Sequence, residues 1–195
     1  VKAFGSEAKR IREGIPVVML SHNTRELATL SAGDGIDRIF VWTGDSGILL
    51  SICKLIEDER NVENDVRDGD VQVILLVEDS RRFYSAYLPL LYKELVHQTT
   101  RLMGEGENLH EKLLRLRARA KILLASDMNT AKSVIDRYHN NIIGIFTAGK
   151  FPKQGGERDT AGLELVRYAQ EGHRYLPSLF QAKNLELKEE AEALG

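Results

Sequence analysis

VQVILLVEDS, residues 71–80, places seven residues with one polar member, Gln72, directly before two adjacent carboxylates, Glu78 and Asp79. An apolar run of that length, bounded by polar residues, predicts a strand buried on both faces, as in a parallel sheet covered by helices. Ligands of open parallel sheets collect at the carboxyl ends of the strands, where this pair stands. Two readings are open. A hard divalent cation such as Mg2+ would relieve the repulsion between the two carboxylates through oxygen ligands. Alternatively, Asp79 or Ser80 caps the helix that follows.

Outward from this stretch, short apolar runs alternate with amphipathic ones. Helix 2–13, strand 15–21, helix 24–31, strand 38–43 and helix 46–61 precede it. The polar stretch VENDVRDGD, 62–70, reads as a linker. After strand 71–77 come a long helical region, 80–120, strand 121–126, helix 129–139, strand 142–147 and a loop, 148–160. Helix 162–171, strand 177–182 and helix 185–194 complete the pattern. Such alternation predicts parallel pairing through right-handed crossovers, a doubly wound α/β sheet. A faint repeat relates 11–30 to 171–194: each has a helix end, a proline (Pro16, Pro177), a strand, a polar corner and a helix.

Composition narrows the function classes. With 43% hydrophobic and 29% charged residues and a net charge of -2, the chain has no general attraction to nucleic acid or anionic membranes. Its single cysteine, Cys53, excludes an internal disulfide and a cysteine-rich zinc site, and its apolar surroundings, GILLSICKLI, suit a small core residue. No run approaches the roughly 18 apolar residues of a membrane helix, and VKAFGSEAKRIREG lacks a signal peptide's apolar centre. A cytoplasmic protein is expected. Starting at Val1 and stopping at Gly195, the chain reads as a fragment of a longer one.

VILLVEDS, followed by helix, strand, helix and the strand-loop IFTAGKFP, resembles the receiver domain of two-component response regulators, the CheY-like family. The resemblance implies flavodoxin-like units in tandem. Residues 1–66 would be the C-terminal part of a first receiver. Residues 67–195 would be a second receiver lacking its last strand and helix. In that family the first-strand acids hold Mg2+, an aspartate ending the third strand accepts a phosphoryl group, and a Thr or Ser and a Lys on later strands respond to it. Glu78 and Asp79 match the metal-binding acids. Pro152 matches the motif proline, and four residues before it stands Ala148, whose methyl cannot be phosphorylated. Thr147 is adjacent, but its side chain is expected on the opposite strand face. Counting from Pro177 puts Ala182 at the hydroxyl switch position, and the same count from Pro16 puts Ser21 there in the first unit. Where the first unit should carry Lys-Pro it has Trp42 and Thr43.

The 80–120 crossover is about twice the usual receiver length and reads as a helical hairpin inserted after the first strand of the second unit. FYSAYLPLLYKELVHQTTRL forms one arm, carrying Pro89 as a possible kink; GEGEN breaks it, and LHEKLLRLRARA forms the other. The hairpin either supports a homodimer or packs on the first unit. The cluster Arg115, Arg117, Arg119 and Lys121 suits a solvated helix C-terminus or an anionic partner. The five histidines show no metal-ligand spacing, His22 is expected at the surface, and 150–160 lacks the spacing of a phosphate-binding loop.

The expectation is a non-enzymatic signal-transduction module of tandem degenerate receivers. It would work through protein partners, a kinase or effector domain, without nucleic acid or membrane. It would resemble the sensory part of PEP-synthase-like or kinase-like proteins. The alternatives are a phosphoacceptor in a phosphorelay and a Mg2+-dependent phosphoryl-transfer enzyme, the latter weakened by the missing nucleophile.

Overall fold

A computed structural model describes residues 2–22, 33, 35–104, 119–153, 160–172, 176–182 and 187–192. Helix α1 (Lys2–Ile11) leads into strands β1 (Val18–Ser21) and β2 (Arg38–Val41), and then helix α2 (Gly47–Gly69). Strand β3 (Val73–Val77), helix α3 (Arg81–Gly104) and strand β4 (Lys121–Ala125) follow. Helix α4 (Met128–Tyr138), strand β5 (Ile142–Ala148), helix α5 (Ala161–Gly172), strand β6 (Ser178–Gln181) and helix α6 (Leu187–Glu192) complete the order. The expected helix 24–31 and residues 109–118 of the expected second hairpin arm lie outside the described residues, while 119 and 120 precede β4 without helical structure.

The architecture is α/β. One parallel sheet has the order β4-β3-β5-β6, and β1 pairs in parallel with β2 in a second, two-stranded sheet. Strand β3 explains its own apolar run. It is flanked by β4 and β5, and successive side chains enter two different cores. Val73, Leu75 and Val77 pack with α4 and α5 residues such as Ile135 and Leu165. Ile74 and Leu76 pack with Leu55 of α2 and Leu88 of α3, a core that also contains Phe40 of β2. The second core therefore joins the two-stranded sheet to the four-stranded one.

Helix α2 differs from expectation. The stretch 62–70, taken for a linker, supplies its last turns, so a single 23-residue helix runs through it. Its buried positions Ile48, Ser51, Leu55, Asp58 and Val62 recur at intervals of three and four, one continuous stripe. The helix stops at Asp70, which takes the left-handed conformation (φ 49°), and its carboxylate accepts a hydrogen bond of 2.7 Å from Asn141 Nδ2. Cys53 is another correction: it is exposed on α2, not buried in the core.

One member of the buried stripe is charged. Asp58 is fully buried, and its carboxylate gathers Arg119 (Nη2–Oδ1 2.5 Å), the Tyr92 hydroxyl (2.9 Å to Oδ2) and the backbone N–H of Ile122 (2.9 Å to Oδ2). Lys121 lies 3.7 Å from Asp58 and 2.7 Å from Asp65. Arg119 and Lys121 thus leave the solvated basic cluster that the sequence suggested. The Asp58 hydrogen bond and charge outweigh burial and hold the Arg119 pKa above its ordinary value. Burial, with Asp58's charge, drives the Tyr92 phenol upward.

Two strand edges meet in this region, and both are closed by side chains. Residues 122 and 124 of β4 turn their backbone groups away from β3. Ile122 N–H goes to Asp58, and Arg38 of β2, itself ion-paired with Glu59, donates to the Leu124 carbonyl at 3.5 Å. On β2, the groups facing away from β1 are met by α3: Tyr84 O–H donates to the Ile39 carbonyl, and Val41 N–H donates to Ser85 Oγ at 3.0 Å. Helix α3 therefore packs on the first strand pair, one of the two roles expected for it. It continues through Pro89, burying Leu88 and Tyr92 on either side.

Removing a buried carboxylate while its cation stays behind strands a charge in a dry site. Asp58→Ala is expected to destabilise the chain by about 3–5 kcal/mol in urea titration. Asp58→Leu combined with Arg119→Met is expected to cost less than Asp58→Leu alone. Equal loss from the single and double variants would show that the carboxylate does not serve to neutralise Arg119.

Candidate functional site

The carboxyl ends of β3, β5 and β6 bring several of the expected residues together. In the register, Val77 lies beside Thr147, and Ala148 lies beside Gln181, so Glu78, Ala148 and the start of the turn holding Ala182 converge at one end of the sheet. Ser21 is not with them. It ends β1 in the other sheet, where it is buried and its carbonyl accepts the Trp42 N–H at 2.8 Å. His22 is exposed, with its ring 5.9 Å from that of Trp42.

The two acids differ. Glu78 is buried, at 5% exposure, while Asp79 is exposed. One Glu78 carboxylate oxygen accepts the Ser80 N–H at 2.9 Å, and the Ser80 carbonyl receives Phe83 N–H and Tyr84 N–H, both at 3.0 Å, to start α3. The Glu78 side chain thus meets the backbone N–H at the start of α3. Burial raises the Glu78 pKa above the ordinary carboxylate value. The Ser80 hydrogen bond opposes this, and the neighbouring Asp79 charge adds to it.

At the position the resemblance gives to the phosphoacceptor aspartate, Ala148 presents a methyl. Among the described residues no group of three or more His, Cys, Asp or Glu is gathered for a metal ion. Thr147 is buried, and its hydroxyl donates to the Ala148 carbonyl at 3.0 Å.

The first residues after β5, 149–153, are held by packing and backbone bonds. Gly149 N–H donates to the Gln181 carbonyl at 2.6 Å, and Gly162 N–H donates to the Gly149 carbonyl at 3.1 Å. Phe151, the Phe of the FP pair, is fully buried among α4 and α5 residues, and the Pro152 carbonyl accepts Met128 N–H at 3.0 Å. A Cβ on Gly162 would stand 2.3 Å from the Ala148 carbonyl oxygen, and one on Gly149 would stand 2.9 Å from the Ala182 Cβ. The degenerate positions Ala148 and Ala182 therefore border two glycines that let α5 and β6 close on the end of β5.

On the α3 side of this end lies a half-open groove of about 200 Å3 that the sequence reading missed. Leu76, Phe146 and Leu179 form its sheet wall, Tyr87, Leu90 and Leu91 its helix wall, and Glu78, Thr147 and Gln181 its strand-end. The Tyr87 hydroxyl donates to Gln181 Oε1 at 2.7 Å, tying α3 to β6. Leu90 and Leu179 are 65% and 59% exposed. In sequence, Leu90 is hidden in a run of leucines, and only α3's orientation shows which of them stays uncovered.

No protein-family model, curated protein or solved structure matches the chain. Among the described residues no helix is long and apolar enough to cross a membrane.

Two substitutions probe this end of the sheet. Gly162→Ala is expected to cost about 1–3 kcal/mol, because the obstacle is backbone rather than a flexible side chain. For Glu78, a raised folded pKa means that folding favours the protonated form. That contribution is fully present below the ordinary carboxylate pKa and is lost as pH rises through the folded value. Glu78→Gln keeps an acceptor for Ser80 N–H and carries no charge. It is expected to melt above the wild type at about pH 7, with the gap closing towards about pH 4; a gap that widens on acidification would contradict the assignment.

Proposed function

We propose that the chain is a regulatory signal-transduction module of receiver-like units that works through contacts with protein partners. The second unit does not accept a phosphoryl group in the usual way. The observation that carries this reading is the β4-β3-β5-β6 parallel order, with an acidic pair closing the central strand and Ala148 at the end of the neighbouring one. That arrangement supports a receiver-like unit in which β3, β4, β5 and β6 are the first four strands. On this reading β1, β2 and α2 are the closing elements of a preceding unit, and the region 80–120 is an extended crossover. Its partners are a kinase or effector domain of the same or another chain.

Loss of the nucleophile is decisive for the chemistry. Phosphoryl transfer to a receiver requires a carboxylate oxygen in line with the donor phosphorus, and a methyl offers no lone pair. With Glu78 capping α3 and Ala148 in the acceptor position, the site retains the shape of a phosphoacceptor without its reaction. On this reading the module has no phosphoryl-transfer activity of its own. Dimerisation through 80–120 is the secondary part of the reading, and a second copy seated on Leu90 and a ligand in the groove beside it would be alternatives.

The test uses acetyl phosphate with Mg2+ on the 195-residue chain and on Ala148→Asp. The wild type is expected to remain unlabelled in intact-mass measurements, and the variant to gain one phosphoryl group per chain. Stoichiometric labelling of the wild type within 71–195 would sink the proposal.

A further inference from the structure

We propose that the groove between α3 and the β3-β5-β6 face is a binding site for a small amphiphilic cation, a primary ammonium on an apolar body. The inference does not require the receiver reading, although Glu78 and Ala148, the acid and acceptor positions of that reading, both line the groove. Three observations carry it. The first is shape: about 200 Å3 of half-open space enclosed by Leu76, Phe146 and Leu179 on one side and Tyr87 and Leu91 on the other. Space of that size takes a ligand of roughly ten non-hydrogen atoms, smaller than a drug-sized molecule.

The second observation is charge. The lining contains one ionisable carboxylate, Glu78, and no lysine, arginine or histidine among the described residues. Glu78 is 5% exposed, and strand alternation puts its side chain on the same sheet face as Ile74 and Leu76, the face that α3 covers. An anionic ligand would meet this carboxylate with no compensating cation. An ammonium finds a charged acceptor there and a second acceptor in Gln181 Oε1, which takes the Tyr87 hydroxyl and has a lone pair to spare. Tyr87 and Phe146 add aromatic surface to the walls, which suits a cation or an aromatic body.

The third observation is position. The polar end of the groove coincides with the carboxyl ends of β3, β5 and β6, where parallel sheets place their ligands. Apolar walls with polar groups gathered at one end match the general anatomy of a small-molecule site. The ligand would enter with its ammonium towards Glu78 and its body along Leu90 and Leu179, whose exposure leaves surface to cover.

3-Phenylpropylammonium and its uncharged counterpart 3-phenylpropanol are suitable probes, followed by methyl and amide NMR shifts of the 195-residue chain. The ammonium is expected to bind with a Kd on the order of 1 mM, shifting Leu90 and Leu179 methyl signals. The alcohol is expected to bind roughly tenfold more weakly. Glu78→Gln is expected to erase that preference, and Leu179→Gln to weaken both probes while leaving the preference intact. Equal binding of the two probes would overturn the proposal, as would no binding at tens of millimolar or shifts confined to other surfaces. Leu90 and Leu179 signals that respond to protein concentration instead of ligand would assign the groove to self-contact and overturn it as well.

Discussion

The carboxylate of Asp58 is the constraint around which the two sheets are assembled. A buried carboxylate is tolerable only when its oxygens are bonded and its charge is opposed. Here the guanidinium of Arg119, the Tyr92 hydroxyl and the Ile122 N–H meet both conditions. Each partner comes from a different place: Tyr92 from the middle of α3, Arg119 from just before β4, and Ile122 from β4 itself. The bonds fix α2 against α3 and against the edge of the larger sheet at one point. Apolar replacement of buried ion clusters is often neutral or stabilising, so the contribution expected of this one is to specify a single arrangement of α2, α3 and β4.

The same junction resolves the problem of unpaired strand edges. An open edge is a template for association with other chains. Both β2 and β4 could have presented one, because each ends a sheet. Instead, Asp58 and Arg38 engage β4, and Tyr84 and Ser85 engage β2. These are side-chain bonds to backbone groups, and they cannot be extended into a ladder by a passing strand. The two-stranded sheet is thus held by α3 and α2 instead of by direct pairing with β4. The mixed core of Phe40, Leu55, Leu76 and Leu88 follows from that geometry.

At the other end of β3, the acidic pair has divided its labour. Glu78 serves the local fold by capping the entry to α3, and Asp79 remains at the surface. Around them, Gly149 and Gly162 permit contacts so close that side chains at those positions would have to displace backbone or packed rings. The end of the sheet is closely packed, and Ala148 contributes a methyl there. The adjoining groove has apolar walls and one buried carboxylate, Glu78.

The sequence by itself determined the alternation of elements, the two-sided burial of β3, the parallel sheet and the acids at its end. These features depend on local periodicity and on where apolar runs stop, both visible in residues 71–80 and 121–148. It also carries a sign of a buried ion pair: Asp58 occupies an apolar-stripe position between Leu55 and Val62 and so requires a buried cation. Only the tertiary structure showed that Arg119 and Lys121 supply it, because the partner lies some sixty residues away and charge patterning along one segment cannot name it. For the same reason 62–70 looked like a linker. Its polar residues describe the solvated side of a helix, and Val62, with the partly buried Val66, marks the buried side. Cys53 came to the surface because α2 has one buried stripe, and a nearly all-apolar run at its start cannot indicate which face that stripe will use. The groove, finally, belongs to no single segment. It exists because α3 leaves part of β5 and β6 uncovered, a consequence of how the helix is docked and not of any one residue in it.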